Sequence, residues 1–84
     1  MGIPQWLRGM YQEGRERRHW SSIEDMAREL NFRTPTLNRW MTGRRRPDAL
    51  SCIRLARSTG TPVETVLTMA GYGEETRDLL TVNS

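Results

Sequence analysis

Apolar residues recur at intervals of three and four along most of this chain, which is the spacing of one face of an amphipathic helix. Proline, glycine, serine or threonine stands between these runs, at positions where helices commonly begin or end. The pattern predicts an all-α protein of five short helices.

The first two predicted helices have recognisable starts. The first follows Pro4, a residue that suits the first turn of a helix, and runs to about His19. The second begins at Ser21 or at Ser22, because each serine is followed three residues later by an acid that completes a capping box. This helix ends near Leu30.

Two of the remaining helices begin with threonine followed by proline, which predicts an N-cap and then a first helical residue. The third helix begins this way at Thr34-Pro35 and stops at Gly43. The fifth begins at Thr61-Pro62 and stops at Gly71. Between them, the fourth helix is capped by Asp48 and ends before Gly60. Its expected buried residues, and those of the fifth helix, are Leu50, Cys52, Ile53, Leu55, Ala56, Val63, Val66, Leu67 and Ala70.

The second and third predicted helices have the spacing of a helix-turn-helix motif. Ala27 stands where two steeply crossing helices leave room only for a small side chain. Asn31 stands where the chain must reverse, and asparagine tolerates a left-handed backbone. The residues expected to point inward are Met26, Leu30, Phe32, Leu37 and Trp40.

Charge is unevenly distributed along the chain. Residues 1–60 hold twelve arginines and six acids, whereas residues 61–84 hold one arginine and four acids. A basic body suits a polyanionic partner such as nucleic acid. We therefore expect one DNA-binding domain over residues 1–73. Residues 74–84 are expected to be an acidic tail, either a short docking or dimerisation element or a frayed end.

The composition supports no catalytic or metal-binding constellation. The chain has one histidine and one cysteine, too few for a zinc site, and Cys52 is expected to be a buried inert thiol. We therefore expect no enzyme activity, no cofactor and no small-molecule ligand. The sequence contains neither the ~20 apolar residues of a membrane span nor a signal-peptide pattern. A cytoplasmic protein without a membrane partner is expected.

Several runs of residues resemble the lambda-repressor-like family, the Cro and repressor type of helix-turn-helix proteins, also called the xenobiotic-response-element family. The resemblance covers about residues 20–73 and rests on the two-helix motif and on three further runs. These are Trp40-Met41-Thr42-Gly43-Arg44-Arg45-Arg46-Pro47-Asp48, Leu55-Ala56-Arg57 with Thr61-Pro62-Val63-Glu64-Thr65-Val66-Leu67, and Ala70-Gly71-Tyr72. They look like small regulators of actinobacteria and their phages. The resemblance implies a compact five-helix fold that binds operator DNA through its third helix, usually as a homodimer.

The sequence departs from the family pattern at three places. Ile23 stands where the family often has a phosphate-binding glutamine, and isoleucine cannot replace it. The turn glycine is replaced by Asn31. Arg33 stands where serine is usual, and Pro35 has no side-chain donor, so base contacts are expected to shift toward later residues of the third helix.

Two sets of candidate DNA contacts follow from the motif and the family resemblance. The base-contacting residues are expected to be Thr34, Pro35, Thr36, Asn38 and Arg39. The phosphate-binding residues are expected to be Ser22, Arg33, Thr42, Arg44, Arg45 and Arg46. A further cluster at Arg15, Arg17 and Arg18 either reaches flanking backbone or alternates with acids on a solvated helix face.

The leading functional hypothesis is a sequence-specific double-stranded DNA-binding transcriptional regulator, a repressor or a Cro-like switch. One alternative is the antitoxin of a toxin–antitoxin module that also binds its own operator. Another is the DNA-recognising part of a phage packaging or assembly complex. Gene neighbourhood would distinguish the first alternative, and a large ring-like oligomer would indicate the second.

Overall fold

The structure is a computed structural model that describes residues 1–72. These residues form five helices and no strand: α1 (Ile3–Glu16), α2 (Ile23–Leu30), α3 (Thr34–Met41), α4 (Ala49–Thr59) and α5 (Val63–Met69). The all-α prediction is confirmed. The chain divides into two compact units, Met1–Arg46 with α1 to α3 and a second that begins at Pro47 with α4 and α5. The predicted tail, residues 74–84, lies outside the described residues.

None of the helices in residues 1–72 combines the length and the apolar character needed to cross a membrane.

All five helices end in the same way, at a residue with a positive φ angle. In each case the next N–H donates to the carbonyl five residues earlier, which is the hydrogen bond that defines a Schellman motif. The five residues are Arg18, Asn31, Gly43, Gly60 and Gly71, with φ between 59° and 91°. The predicted stops at the three glycines and the left-handed turn at Asn31 are confirmed.

The first helix is shorter than predicted. It ends at Glu16 rather than near His19, because Arg18 adopts the left-handed conformation and the N–H of His19 bonds back to the Gly14 carbonyl. Arginine is not a usual residue at this position, so no local signal in the sequence marks the end of the helix.

The helix starts agree with prediction at α2 and α4. Ser22, the second of the two serines proposed, caps α2 by accepting a hydrogen bond from the Asp25 N–H, and the Asp25 carboxylate accepts from the Ser21 N–H in return. Asp48 caps α4 by accepting from the Ser51 N–H at 2.8 Å.

The two threonine–proline starts were each wrong by one residue, in opposite directions. In α3 the Leu37 N–H bonds to the Arg33 carbonyl, so Arg33 is the N-cap and Thr34 is already helical. In α5 the N-cap is Pro62 rather than Thr61. Proline fits both places because the first N–H groups of a helix have no intrahelical partner.

In the first unit, α3 packs against both α1 and α2. Ala27 is 1% exposed at the α2–α3 crossing, as predicted. Phe32 is half-buried, with its ring edge-on to Trp40 at 4.9 Å between centroids. The remaining buried apolar residues of this unit are Ile3, Leu7, Trp20, Met26, Leu30, Leu37, Trp40 and Met41.

In the second unit, α4 packs against α5. Most of the expected core is buried: Cys52, Leu55, Ala56, Val66, Leu67 and Ala70. The prediction that Leu50 lies in this core is wrong, since Leu50 is 66% exposed. At 3.6 residues per turn Leu50 lies on the side of α4 opposite Cys52, Leu55 and Ala56. Val63, also assigned to the core, is 37% exposed.

Candidate nucleic-acid interface

The central feature of the interface is the division of α3 into a buried and an exposed side. Leu37 and Trp40 are 0% and 5% exposed and hold α3 in the core of the first unit. Asn38 and Arg39, which lie between them in the sequence, are exposed. The core contacts therefore fix the helix while leaving an amide and a guanidinium free to meet a partner.

The predicted base-contacting residues in the first turn of α3 differ in exposure. Pro35 is exposed, whereas Thr34 and Thr36 are half-buried at the two edges of the exposed side. Pro35 offers only its ring, because it has no backbone N–H and no polar side-chain atom. Arg33 is exposed and N-caps the helix, where the positive end of the helix dipole also favours an anion.

The arginine-rich loop folds back onto the end of α3. The N–H groups of Arg44 and Arg45 both donate to the carbonyl oxygen of Arg39, at 2.9 and 3.3 Å. All three residues of the 44–46 run are exposed. The backbone of Arg39 thus anchors the loop, and two of its arginines are held beside the last turn of the candidate recognition helix.

Thr42 lies at the C-terminal end of the same exposed side. Its hydroxyl donates to the carbonyl oxygen of Asn38 at 2.9 Å. A threonine hydroxyl has a single proton to donate. For Thr42 to donate to a phosphate, as the sequence predicts, its side chain must rotate away from the helix.

Ser22 has the least favourable surroundings of the predicted phosphate contacts. Its oxygen accepts from the Asp25 N–H at 3.3 Å, and the neighbouring carboxylates of Glu24 and Asp25 stand in the first turn of α2. Hydrogen bonds from the Ser21 hydroxyl and N–H lower the pKa of Asp25, so that carboxylate stays ionised and repels an anion.

The arginine cluster near the end of α1 is divided between the helix and its C-terminal cap. Arg15 lies within the helix, where its guanidinium donates to the Tyr11 hydroxyl at 3.1 Å. Arg17 and Arg18 form the C-terminal cap. Sequence reasoning grouped the three by adjacency and overlooked Arg8, which lies seven residues before Arg15 and therefore on the same side of the helix.

A comparison with family models matches residues 12–66 to the helix-turn-helix family. The match covers well over half of the chain, including α2, α3 and the arginine-rich loop. The chain belongs to the lambda-repressor-like helix-turn-helix family. Searches of curated proteins and of solved structures found no match. This helix-turn-helix family is one of DNA-binding regulatory domains, not of enzymes. The individual base and phosphate contacts stay predictions.

Proposed function

We propose that this helix-turn-helix protein is a sequence-specific regulator of transcription, a repressor or a Cro-like switch, that binds double-stranded operator DNA with α3 in the major groove. The observation that carries the proposal is the exposure of Asn38 and Arg39 on a helix anchored from behind by Leu37 and Trp40. A major groove admits one helix and presents a distinct pattern of donors and acceptors for each base pair.

The two long polar side chains of α3 suit different bases. Arg39 can donate two hydrogen bonds to O6 and N7 of guanine, and Asn38 can form a matching pair with N6 and N7 of adenine. Each such pair contributes about 1–3 kcal/mol of discrimination against the wrong base. The methyl groups of Thr34 and Thr36 and the ring of Pro35 offer apolar contacts for thymine methyls.

Phosphate contacts position α3 in the groove. Arg33 stands at one end of the helix, and residues 44–46 stand at the other. These guanidiniums contribute affinity for any duplex and carry no sequence information themselves. Thr42 and Ser22 complete the proposed set of phosphate contacts. The Thr42 hydroxyl must first rotate away from the Asn38 carbonyl, and the Ser22 oxygen already accepts a hydrogen bond from the Asp25 N–H.

The regulator acts by occupying its operator in the cytoplasm, where it associates with the nucleoid. We propose a homodimer, because two copies on a two-fold axis double the number of contacts and favour a near-palindromic site. The half-sites are then expected about one helical turn apart, or a multiple of it.

Selection of bound duplexes from a random DNA pool tests the proposal. The expected product is a near-palindromic consensus that contains guanine and adenine at the positions facing Arg39 and Asn38. Equal affinity for every duplex would contradict the proposal. Light scattering on the free protein provides a second readout, since a large ring-like oligomer instead of a dimer would favour an assembly role.

A further inference from the structure

Helix α1 separates its positive and negative side chains. Arg8, Tyr11 and Arg15 follow one another at intervals of three and four, and at 100° per residue they lie within an arc of about 60°. Glu13 and Glu16 lie on other sides of the same helix, well outside this arc. Both arginines are exposed and Tyr11 is half-buried. We call Arg8, Tyr11 and Arg15 the α1 stripe.

The α1 stripe begins one turn after Pro4, the residue of α1 that lies beside the start of the arginine-rich loop. Pro4 lies one turn before Arg8 on the same flank of α1, which packs against α3. A methyl group placed on Gly43 would stand only 3.7 Å from Cγ of Pro4, so the two residues are close neighbours. Gly43 leads directly into residues 44–46. Arg8 follows Pro4 by about 6 Å along the helix, at 1.5 Å per residue, and the stripe from Arg8 to Arg15 extends for about 10 Å beyond it.

Both guanidiniums of the α1 stripe are oriented by contacts within α1. Arg8 donates from Nε to the Pro4 carbonyl at 3.3 Å, which leaves the N–H groups of its two terminal nitrogens for a ligand. Arg15 donates to the Tyr11 hydroxyl at 3.1 Å and lies 5.8 Å from the centroid of the Tyr11 ring. The Tyr11 hydroxyl accepts this bond and keeps its own proton for a further acceptor. Ordering these side chains before binding reduces the entropy lost on binding.

We propose that the α1 stripe is a second phosphate-binding surface, which holds the sugar-phosphate backbone next to the stretch held by residues 44–46. The inference rests on the proposed function, since it assigns a further contact to the same duplex. The three residues carry donors along one side of α1, two of them cationic, and donors of this kind bind phosphate oxygens. In this proposal the stripe contacts no base. It therefore raises the affinity for DNA and the length of duplex that the protein covers, without adding sequence preference.

The salt dependence of binding to a duplex of random sequence tests this surface. The probe is a fluorescently labelled 30-base-pair DNA, and its affinity is measured by anisotropy over about 50 to 200 mM salt. Arg8→Gln and Arg15→Gln are each expected to lower the slope of log K against log salt by about 0.9, and the double variant by about 1.8. Tyr11→Phe keeps the ring beside Arg15 but removes the hydroxyl. It should weaken binding about threefold to tenfold with the slope unchanged.

Arg17→Gln is the matched control, because it removes one exposed positive charge at the C-cap of α1 and leaves the residues of the α1 stripe unchanged. It should leave the slope unchanged. A slope that falls equally in Arg17→Gln and in the stripe variants would show that only net charge matters and would overturn the assignment. If the wild-type protein binds no duplex, the proposed function itself fails. If it binds but the stripe variants match it, only this surface is wrong.

Discussion

The indole ring of Trp20 lies directly against the α-carbon of Gly14. A β-carbon added at Gly14 would clash with the ring atoms Cε3, Cζ3 and Cδ2 of Trp20. Trp20 is 8% exposed and its ring is rigid, so it has little room to move aside. The absence of a side chain at Gly14 is therefore what allows the segment after α1 to fold back over the helix.

Gly14→Ala is expected to destabilise the protein, although alanine is the better helix former. Over-packing at a buried position costs about 1–3 kcal/mol, which exceeds the gain in helix propensity. Gly9→Ala is the matched control, since nothing lies within 4 Å of a β-carbon there. This change should stabilise α1 by about 0.5–1 kcal/mol. Equilibrium unfolding in urea measures both, and stabilisation by both substitutions would contradict the packing role of Gly14.

The same tryptophan has a second partner, Glu29 of α2. The Trp20 Nε1–H donates to one carboxylate oxygen of Glu29 at 2.9 Å, and Nε2 of His19 lies 2.7 Å from the other. Glu29→Ala leaves the indole N–H without its acceptor and is expected to cost about 1–3 kcal/mol. Glu29→Gln keeps an acceptor oxygen and should cost less. His19→Ala removes an exposed ring and should change the free energy of unfolding by less than about 0.5 kcal/mol. Equal losses in Glu29→Ala and His19→Ala would count against the indole bond.

Arg18 occupies a backbone conformation that favours glycine. Its φ of 59° is left-handed, a region that costs a non-glycine residue roughly 1–2 kcal/mol. Arg18→Gly is expected to stabilise the protein by about 0.5–1 kcal/mol after the greater backbone entropy of glycine in the unfolded chain is counted. Arg18→Ala removes the same charge but keeps the β-carbon, and it should give no such gain. If both variants are equally stable in urea, the backbone at this position is not strained.

These helix ends show which features of the fold are visible in the sequence. Gly43, Gly60 and Asn31 mark helix ends because their residue types favour the left-handed backbone, so local chemistry sufficed to predict them. Arg18 serves the same role without that chemistry. Only the packing of Trp20 on Gly14 explains why the chain turns there, and this contact joins residues that no local pattern relates.

In the candidate site, too, the sequence predicts the features that depend on local periodicity but not those that depend on contacts between distant residues. The buried and exposed sides of α3 follow from helical periodicity, so the exposure of Asn38 and Arg39 was predictable. In α4 the same periodicity gave a wrong result at Leu50, which stands three residues before Ile53 and so fits the apolar spacing, yet is 66% exposed. The position of the α1 stripe relative to the proposed DNA interface could not be predicted from the sequence, because it depends on which side of α1 packs beside Gly43.

The carboxylates of Asp25 and Asp48, at the starts of α2 and α4, are expected to make the free energy of unfolding depend on pH in acid solution. Hydrogen bonds from Ser21 lower the pKa of Asp25, and hydrogen bonds from Ser51 lower the pKa of Asp48. A carboxylate whose pKa is lower in the folded state binds fewer protons there than in the unfolded chain. Its stabilising contribution is complete above the unfolded pKa, about 3.9 for aspartate, and is lost as the pH falls through the folded pKa.

The free energy of unfolding is therefore expected to decrease below about pH 4. Asp25→Asn combined with Asp48→Asn keeps a capping oxygen at both positions but removes the titration. Urea unfolding at a series of pH values should show a shallower decrease for this double variant. A decrease as steep as that of the wild-type protein would mean that other acids cause the pH dependence.

Arg39 and Arg45 should affect DNA binding in different ways. Arg39 holds the loop through its backbone carbonyl, so Arg39→Ala removes the guanidinium while the hydrogen bonds from Arg44 and Arg45 remain possible. This variant is expected to lose about 1–3 kcal/mol of preference for the selected operator over random DNA. Arg45→Ala should weaken binding to both duplexes alike and lower the salt slope by about 0.9. Anisotropy titrations with the two duplexes measure both quantities, with Arg17→Ala as the charge control. A uniform loss in Arg39→Ala, with discrimination intact, would mean that Arg39 contacts phosphate and that the bases are distinguished elsewhere.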